Sequence, residues 1–334
     1  MGGKYSIGTK QVAVICATKD RPDKVRALLE SLAKLSSLPG QILIADGGQN
    51  LKSMVSKYSA RLPISCLYCP DPGQVLQRNY AHSRLDKNIR LVLHVDDDIT
   101  LEPNSLDLAL EHWNQNSLDD GKPLVGMGLN VINLPQKKDN LLRKIALMRV
   151  EPKGEVWKSG YTSPSLPILS ERKGVVETKW LVGGAAIWSR EILTVHHPLS
   201  IPTRWAVCED VIFSYPLSKA NRLVVCSEAI AFHGDNYSQH GVKKRFFYGL
   251  SEVLMRYFFV KSNDELSLLA FFWASSFHFF GFVFRGCSGE LRSFGSAFGM
   301  AFGFAWIFMS FVRRRSIISM LQELASRDHQ SETT

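Results

Sequence analysis

From residue 11 the chain alternates two patterns. Short uninterrupted apolar runs are followed by stretches in which apolar positions recur every three or four residues. QVAVICAT (11–18), QILIAD (41–46), LPISCLYC (62–69) and IRLVLHV (89–95) have the length and β-branched content of buried strands. RPDKVRALLESLAKL (21–35), LKSMVSKYSA (51–60) and PGQVLQRNYAHSRL (72–85) have helical spacing, with Pro22 suited to a first turn. Strand–helix alternation with short connections predicts a mostly parallel sheet flanked by helices, an α/β fold. In such sheets ligands bind at the carboxyl ends of strands.

The middle of the chain is less regular. One strand is expected within DDGKPLVGMGLNVINLP (119–135), then a loop-rich or partly helical insertion over 136–178. TKWLVGGAAIWS (178–189) reads as a strand, AVCEDVIFSYPLSKANR (206–222) as a helix and LVVCSEAIAFHG (223–234) as a return to the sheet. KKRFFYGLSEVLMRYFFVK (243–261) is a basic, aromatic, amphipathic stretch, suited either to a membrane interface or to packing on the domain. LSLLAFFWASSFHFFGFVF (266–284) and FGSAFGMAFGFAWIFMSFV (294–312) hold no Asp, Glu, Lys or Arg and are long enough for a bilayer core. Gly295, Gly299 and Gly303 recur every four residues, which suits close helix–helix contact. The expected division is a main domain over 1–240, an interface helix over 241–262, an apolar helical hairpin over 263–315 and a polar tail over 316–334. Two spans and a shallow hairpin in one leaflet are both open. The basic flanks Lys243-Lys244-Arg245 and Arg313-Arg314-Arg315 place the expected domain on the cytoplasmic side.

Composition sharpens this. The 334 residues carry a net charge of +9, which points to phosphate-bearing partners: a nucleotide, anionic lipid or nucleic acid. Six cysteines are scattered, and MGGKYSIGTK lacks an apolar signal core, so a reduced, cytosolic setting is expected for the main domain. Cys66 and Cys69 form a lone CxxC with no second pair, a poor metal signature that reads instead as part of a strand.

The candidate chemistry sits where the fourth strand ends, in LVLHVDDDITLEP (91–103). Asp96, Asp97 and Asp98 repel one another and are costly to desolvate. A hard divalent cation, Mg²⁺ or Mn²⁺, would remove that repulsion and act as a Lewis acid toward a leaving diphosphate. An acidic turn or cap is the plain alternative. Asp96 to Thr100 also fits a DxDxT phosphatase-type motif, but three strand–helix units precede it here. No GxGxxG follows the first strand, which speaks against a dinucleotide oxidoreductase.

Read together, VAVICATKDRPDKVRALLESL, ILIADGGQN, GQVLQRN, HVDDD, LVGGAAIWSREIL with CEDVIFSYPL, and AIAFHG resemble, in order, the motifs of family 2 glycosyltransferases. The resemblance covers roughly residues 10–235 and implies the GT-A nucleotide-sugar transferase fold. It further implies a metal-dependent, inverting enzyme that takes one sugar from a nucleotide-sugar donor, of UDP type, to a glycan or lipid-linked acceptor in surface polysaccharide synthesis. Asp46 would accept hydrogen bonds from the base. Thr18 and Asp20 would line the nucleotide pocket, and Arg78 would reach the base or diphosphate. Asp96, with Asp97 beside it, would face the ribose or sugar. Asp98 would bind the metal, with His233 completing the metal or phosphate site. Asp210 would be the general base, with Glu209 next to it, although acids at a helix start also answer the helix dipole. Gly183-Gly184 would let an acceptor approach the backbone, and Trp180 and Trp188 would either stack on sugars or fill the core. The family pattern often continues Glu-Asp with Val-Asp and a later arginine; Ile212 and Pro216 stand there instead. No QxxRW follows, so a single sugar per encounter is expected. The expected partners are donor, acceptor and the cytoplasmic face of a membrane, without nucleic acid. Two alternatives stay open: a metal-dependent nucleotidyltransferase and a catalytically inactive membrane scaffold.

Overall fold

The computed structural model describes residues 6–48, 50–71, 73–117, 121–134, 138–165, 174–196, 198, 207–234, 241–313, 316, 318, 319, 322 and 323. Arg314, Arg315 and most of the tail lie outside them. The chain divides into two compact units. One comprises Met1–Gln136, Ser165–Ser200 and Phe213–Asp235; the other comprises Lys137–Pro164, Ile201–Ile212 and Asn236–Thr334.

In the first unit the described residues form a nine-stranded sheet. The strands are β1 (Val12–Thr18), β2 (Gln41–Asp46), β3 (Ile64–Tyr68), β4 (Leu91–Asp96), β5 (Ile99–Leu101), β6 (Leu124–Val131), β7 (Val175–Glu177), β8 (Ala185–Ser189) and β9 (Arg222–His233). Their order is β3-β2-β1-β4-β8-β6-β9-β5, with β7 also on β9. Pairing is parallel through β3-β2-β1-β4. Beyond β4 it is mixed: β8 runs antiparallel to both β4 and β6, and β9 runs parallel to β6. Two reversals restore the direction, so β1, β2, β4, β6 and β9 all point their carboxyl ends the same way. Strands as far apart in sequence as β1 and β9 therefore end on one edge.

Helices α1 (Pro22–Leu32), α2 (Lys52–Ser56), α3 (Gln74–His82) and α4 (Ser105–Asn116) follow the alternation. Pro22 opens α1, and Val25, Leu28, Leu29 and Leu32 make its buried stripe. In α4, Leu106, Ala109, Leu110 and Trp113 repeat that spacing. This helix was within reach of the sequence pattern, since the spacing alone marks it. The β1 side chains are buried throughout, as expected of a strand covered on both faces.

The insertion contributes α5 (Leu141–Ile145) to the second unit and β7 to the first. After β8 come α6 (Arg190–Val195) and α7 (Glu209–Ala220), which runs through Pro216. The second unit is dominated by α8 (Val242–Lys261), α9 (Leu268–Cys287) and α10 (Ser293–Arg313). A Cβ at Gly295 would meet the Val242 carbonyl, one at Gly299 the Phe246 carbonyl, and one at Gly303 the Val253 side chain. Residue numbers rise together on both helices, so α10 lies along α8 in the same direction. The glycine stripe thus serves contact with α8, whose 249–260 stretch is largely buried.

Candidate active site

Register assembles the acidic edge. Thr18, the last residue of β1, pairs with Asp46, the last of β2, and Ala17 pairs with Asp96, the last of β4. Across the other half, Ile99 pairs with His233, the last residue of β9. The Gly234 N–H donates to the Asp98 carbonyl at 2.6 Å, fixing the imidazole beside the carboxylates.

The three carboxylates are held differently. Asp96 is one-third exposed; its Oδ1 takes hydrogen bonds from Arg78 Nη2 at 2.7 Å and Gln74 Nε2 at 2.6 Å. Arg78 itself is buried. Gln74 and Arg78 are four apart on α3, hence on one face. Asp97 is buried: Thr18 Oγ1 donates to it at 2.6 Å, and Arg21 Nη1 lies 2.7 Å away. Burial pushes its carboxyl up to about 6, helped by Asp98 and Asp96 and opposed by Thr18 and Arg21. Asp98 meets Arg21 Nη2 at 2.9 Å and His233 Nε2 at 3.6 Å. Burial raises its carboxyl too, with repulsion from Asp96 added and the Arg21 hydrogen bond working against it. Two arginines therefore offset much of the crowded negative charge.

Neighbouring loops close around this edge. Asp46 is buried, and its two oxygens accept the Gly48 and Leu51 N–H groups at 3.0 and 2.9 Å, which shapes the β2–α2 turn. Asp20 has a left-handed φ of 56°, and a Cβ on Gly48 would strike its carboxylate. Gln77 Nε2 donates to the Thr18 and Ala45 carbonyls, tying α3 to both strand ends. A Cβ on Gly184 would collide with the Asp96 carboxylate, so this glycine makes room for Asp96. Trp188 is buried and packs edge-on against Phe213, with ring centroids 4.9 Å apart, which assigns it to the core.

Thus Thr18, Arg78, Asp96, Asp97, Asp98 and His233 come together, with Asp46 at the adjoining end of β2 and Asp20 in the loop after β1. Arg21, Gln74 and Gln77 join them without having been singled out in the sequence. A cation directly after Asp20, in the loop facing three carboxylates, was the available signal for Arg21. Glu209 and Asp210 open α7 within the second unit, and Asp210 Oδ1 accepts its neighbour's Val211 N–H at 2.8 Å. Just before them, Cys208 has a φ of 61° and its thiol lies 3.7 Å from Glu252 on α8. Glu252 is in turn paired with the buried Arg256 at 2.6 Å. Buried side chains thereby fix the turn that carries both acids.

As donors, the Asp98 carboxylate and the His233 imidazole fit a hard divalent cation that shares its sphere with substrate phosphates. Among the described residues no cluster of three or more His, Cys, Asp or Glu forms a metal cage, so the remaining ligands would come from substrate and water. At the CxxC, burial, with Asp46 nearby, pushes the Cys66 and Cys69 thiols up to about 11. A recess of about 500 Å³ lined by Lys87, Arg90, Trp113 and Arg190 holds none of the candidate residues.

No protein-family model and no curated protein matches the sequence. Solved structures do match. The mannosyltransferase PcManGT from Pyrobaculum calidifontis, in complex with GDP-Man and Mn²⁺, is 14% identical with a TM-score of 0.52, covering 97% of this chain and 88% of that one. GalNAc-T7 with UDP, GalNAc and Mn²⁺ is 13% identical with a TM-score of 0.52, over 80% of this chain and 54% of its own. S. aureus TarS 1-349 with UDP-GlcNAc is 17% identical with a TM-score of 0.50, over 84% and 74%. At these identities the likeness is one of fold. The chain has the GT-A fold of nucleotide-sugar glycosyltransferases, with two long apolar helices at its C-terminal end.

Proposed function

We propose that the chain is a metal-dependent, inverting glycosyltransferase. It moves one sugar from a nucleotide-sugar donor, of UDP type, to a glycan or lipid-linked acceptor of surface polysaccharide synthesis, at the cytoplasmic face of a membrane. The observation that carries this conclusion is the gathering of Thr18, Arg78, Asp96, Asp97, Asp98 and His233 on one edge of a GT-A sheet. The ligands in the similar structures, UDP-GlcNAc, GDP-Man and Mn²⁺, support a nucleotide-sugar donor and a divalent ion.

Asp46 and the Thr18–Asp20 loop form the nucleotide pocket, and Arg78 orients Asp96 toward the ribose or sugar. Asp98 and His233 would hold Mg²⁺ or Mn²⁺, whose positive charge would serve as a Lewis acid toward the donor diphosphate. Asp210, with Glu209 beside it, takes the proton of the acceptor hydroxyl. The acceptor oxygen then bonds to the sugar C1 as the C1–O bond breaks, and the nucleoside diphosphate departs with the electron pair. A positioned base of this kind contributes about 10²–10⁴ in rate.

The test is release of nucleoside diphosphate by the detergent-purified chain from a panel of nucleotide sugars with Mn²⁺. Release from one donor is expected, abolished in Asp98→Ala. Asp210→Ala should lower turnover by about 10²-fold or more while donor binding persists. No release from any donor, together with no metal-dependent nucleotide binding, would overturn the proposal and favour the inactive scaffold.

A further inference from the structure

We propose that α9 and α10 do not cross the membrane but lie along one leaflet, with the α9–α10 turn on the same side as the catalytic unit. The proposal rests on the membrane association proposed above and deepens it. Both helices have the length and composition of spans, at 20 and 21 residues. Their packing within the second unit argues otherwise.

One face of the first half of α9 contacts the 138–164 segment. Ser267 N–H donates to the Lys158 carbonyl at 2.8 Å, and Trp273 Nε1 donates to the Ile145 carbonyl at 2.8 Å. Tyr161 Oη lies 3.2 Å from Ser275 Oγ and 3.2 Å from His278 Nδ1. His278 is near the middle of α9. An upright α9, about 30 Å long, would therefore draw Tyr161 and the non-helical backbone that bears it below the membrane surface, where unpaired backbone groups are costly.

Nor can α10 enter alone. Its glycines rest on the α8 backbone, and its far end meets Tyr257 and Lys261 through Phe311. Helix α8 would have to follow over its whole length. It would take along the buried Glu252–Arg256 pair and, through the hydrogen bond from Arg256 to the Gly160 carbonyl, the 138–164 segment again.

The exposed surface fits a leaflet instead. On α9, Leu269, Trp273, Phe280 and Phe284 form one open apolar stripe. The five-residue α5, too short to span anything, exposes Leu141, Leu142 and Ile145 next to Trp273. Arg143 and Lys144 lie between those leucines and Ile145, and Arg285 and Arg292 flank the turn. Apolar side chains interleaved with cations match the boundary between acyl chains and anionic headgroups.

Cys287, an exposed free thiol at the end of α9, reports the topology directly. The full chain is expressed, and sealed membrane vesicles are prepared in both orientations and treated with a membrane-impermeant maleimide. Lys57→Cys marks the side of the catalytic unit, Ser288→Cys gives a second reporter in the turn, and Cys287→Ser identifies the native signal. The expected result is labelling of Cys287 and Ser288→Cys from the same side as Lys57→Cys, with the native signal lost in Cys287→Ser. Labelling of the turn only from the opposite side, or from neither side, overturns the proposal. So does a chain that fails to sediment with vesicles. Loss of donor turnover in the same vesicles would count against the transferase assignment without moving the label.

Discussion

Gly184→Ala tests whether the acidic edge is built as described. The new Cβ would overlap the Asp96 carboxylate, and Asp96, one-third exposed, has room to swing away. Doing so forfeits its bonds from Arg78 at 2.7 Å and Gln74 at 2.6 Å and leaves a buried guanidinium without that partner. Breaking a fully buried pair costs about 3–5 kcal/mol; with Asp96 partly in water, about 2 kcal/mol is expected. Gly184 is not in the left-handed region, so alanine would otherwise stabilise by about 0.4–1 kcal/mol through the unfolded chain. The sign of the effect therefore separates the two causes. Thermal unfolding should shift downward by about 3–6 °C. Calorimetric titration with the preferred donor should weaken by about tenfold if about 1.4 kcal/mol of the cost falls on binding. In an Asp96→Ala background the clash partner is gone, and Gly184→Ala should become neutral or stabilising, a coupling readable from the double-mutant cycle. A destabilisation that persists in that background, or an unchanged melting point and donor affinity in the single variant, would refute the contact.

Two further outcomes concern the second unit. Burial alone would raise the Glu252 carboxyl, but Arg256 and His278 hold it below the ordinary glutamate range. A lowered folded value means its stabilisation is complete above the unfolded glutamate value and is lost as pH falls through the folded one. Glu252→Gln should flatten that acid limb of the denaturation profile and cost about 3–5 kcal/mol, because Arg256 stays buried without a counter-charge. Gly299→Ala places a methyl group on the Phe246 carbonyl; pushing α10 from α8 should cost about 1–3 kcal/mol, measured by denaturant unfolding in detergent.

Much was readable from the chain itself. Uninterrupted β-branched runs at 12–18, 41–46 and 91–96 and the apolar stripe of α1 depend on local propensity and periodicity, so strands and helices could be drawn from them, while the GT-A resemblance came from the ordered motifs. Asp46 and Asp96 could be nominated from the parallel alternation, which puts strand carboxyl ends on one side, while the role of Thr18 came with the resemblance. What the sequence could not supply was long-range pairing. The reversal at β8, which turns β6 and β9 back into line, sets His233 beside Asp98 across more than 130 residues of chain. Arg21 bridging Asp97 and Asp98, and Gly184 yielding space to Asp96, arise only once separate loops meet. The apolar hairpin shows the same limit. Composition marks α9 and α10 as able to enter a membrane, but only their contacts with α8 and the 138–164 segment distinguish lying in a leaflet from crossing it. Hydropathy counts what a helix is made of, whereas depth in a bilayer depends on which polar neighbours must travel with it.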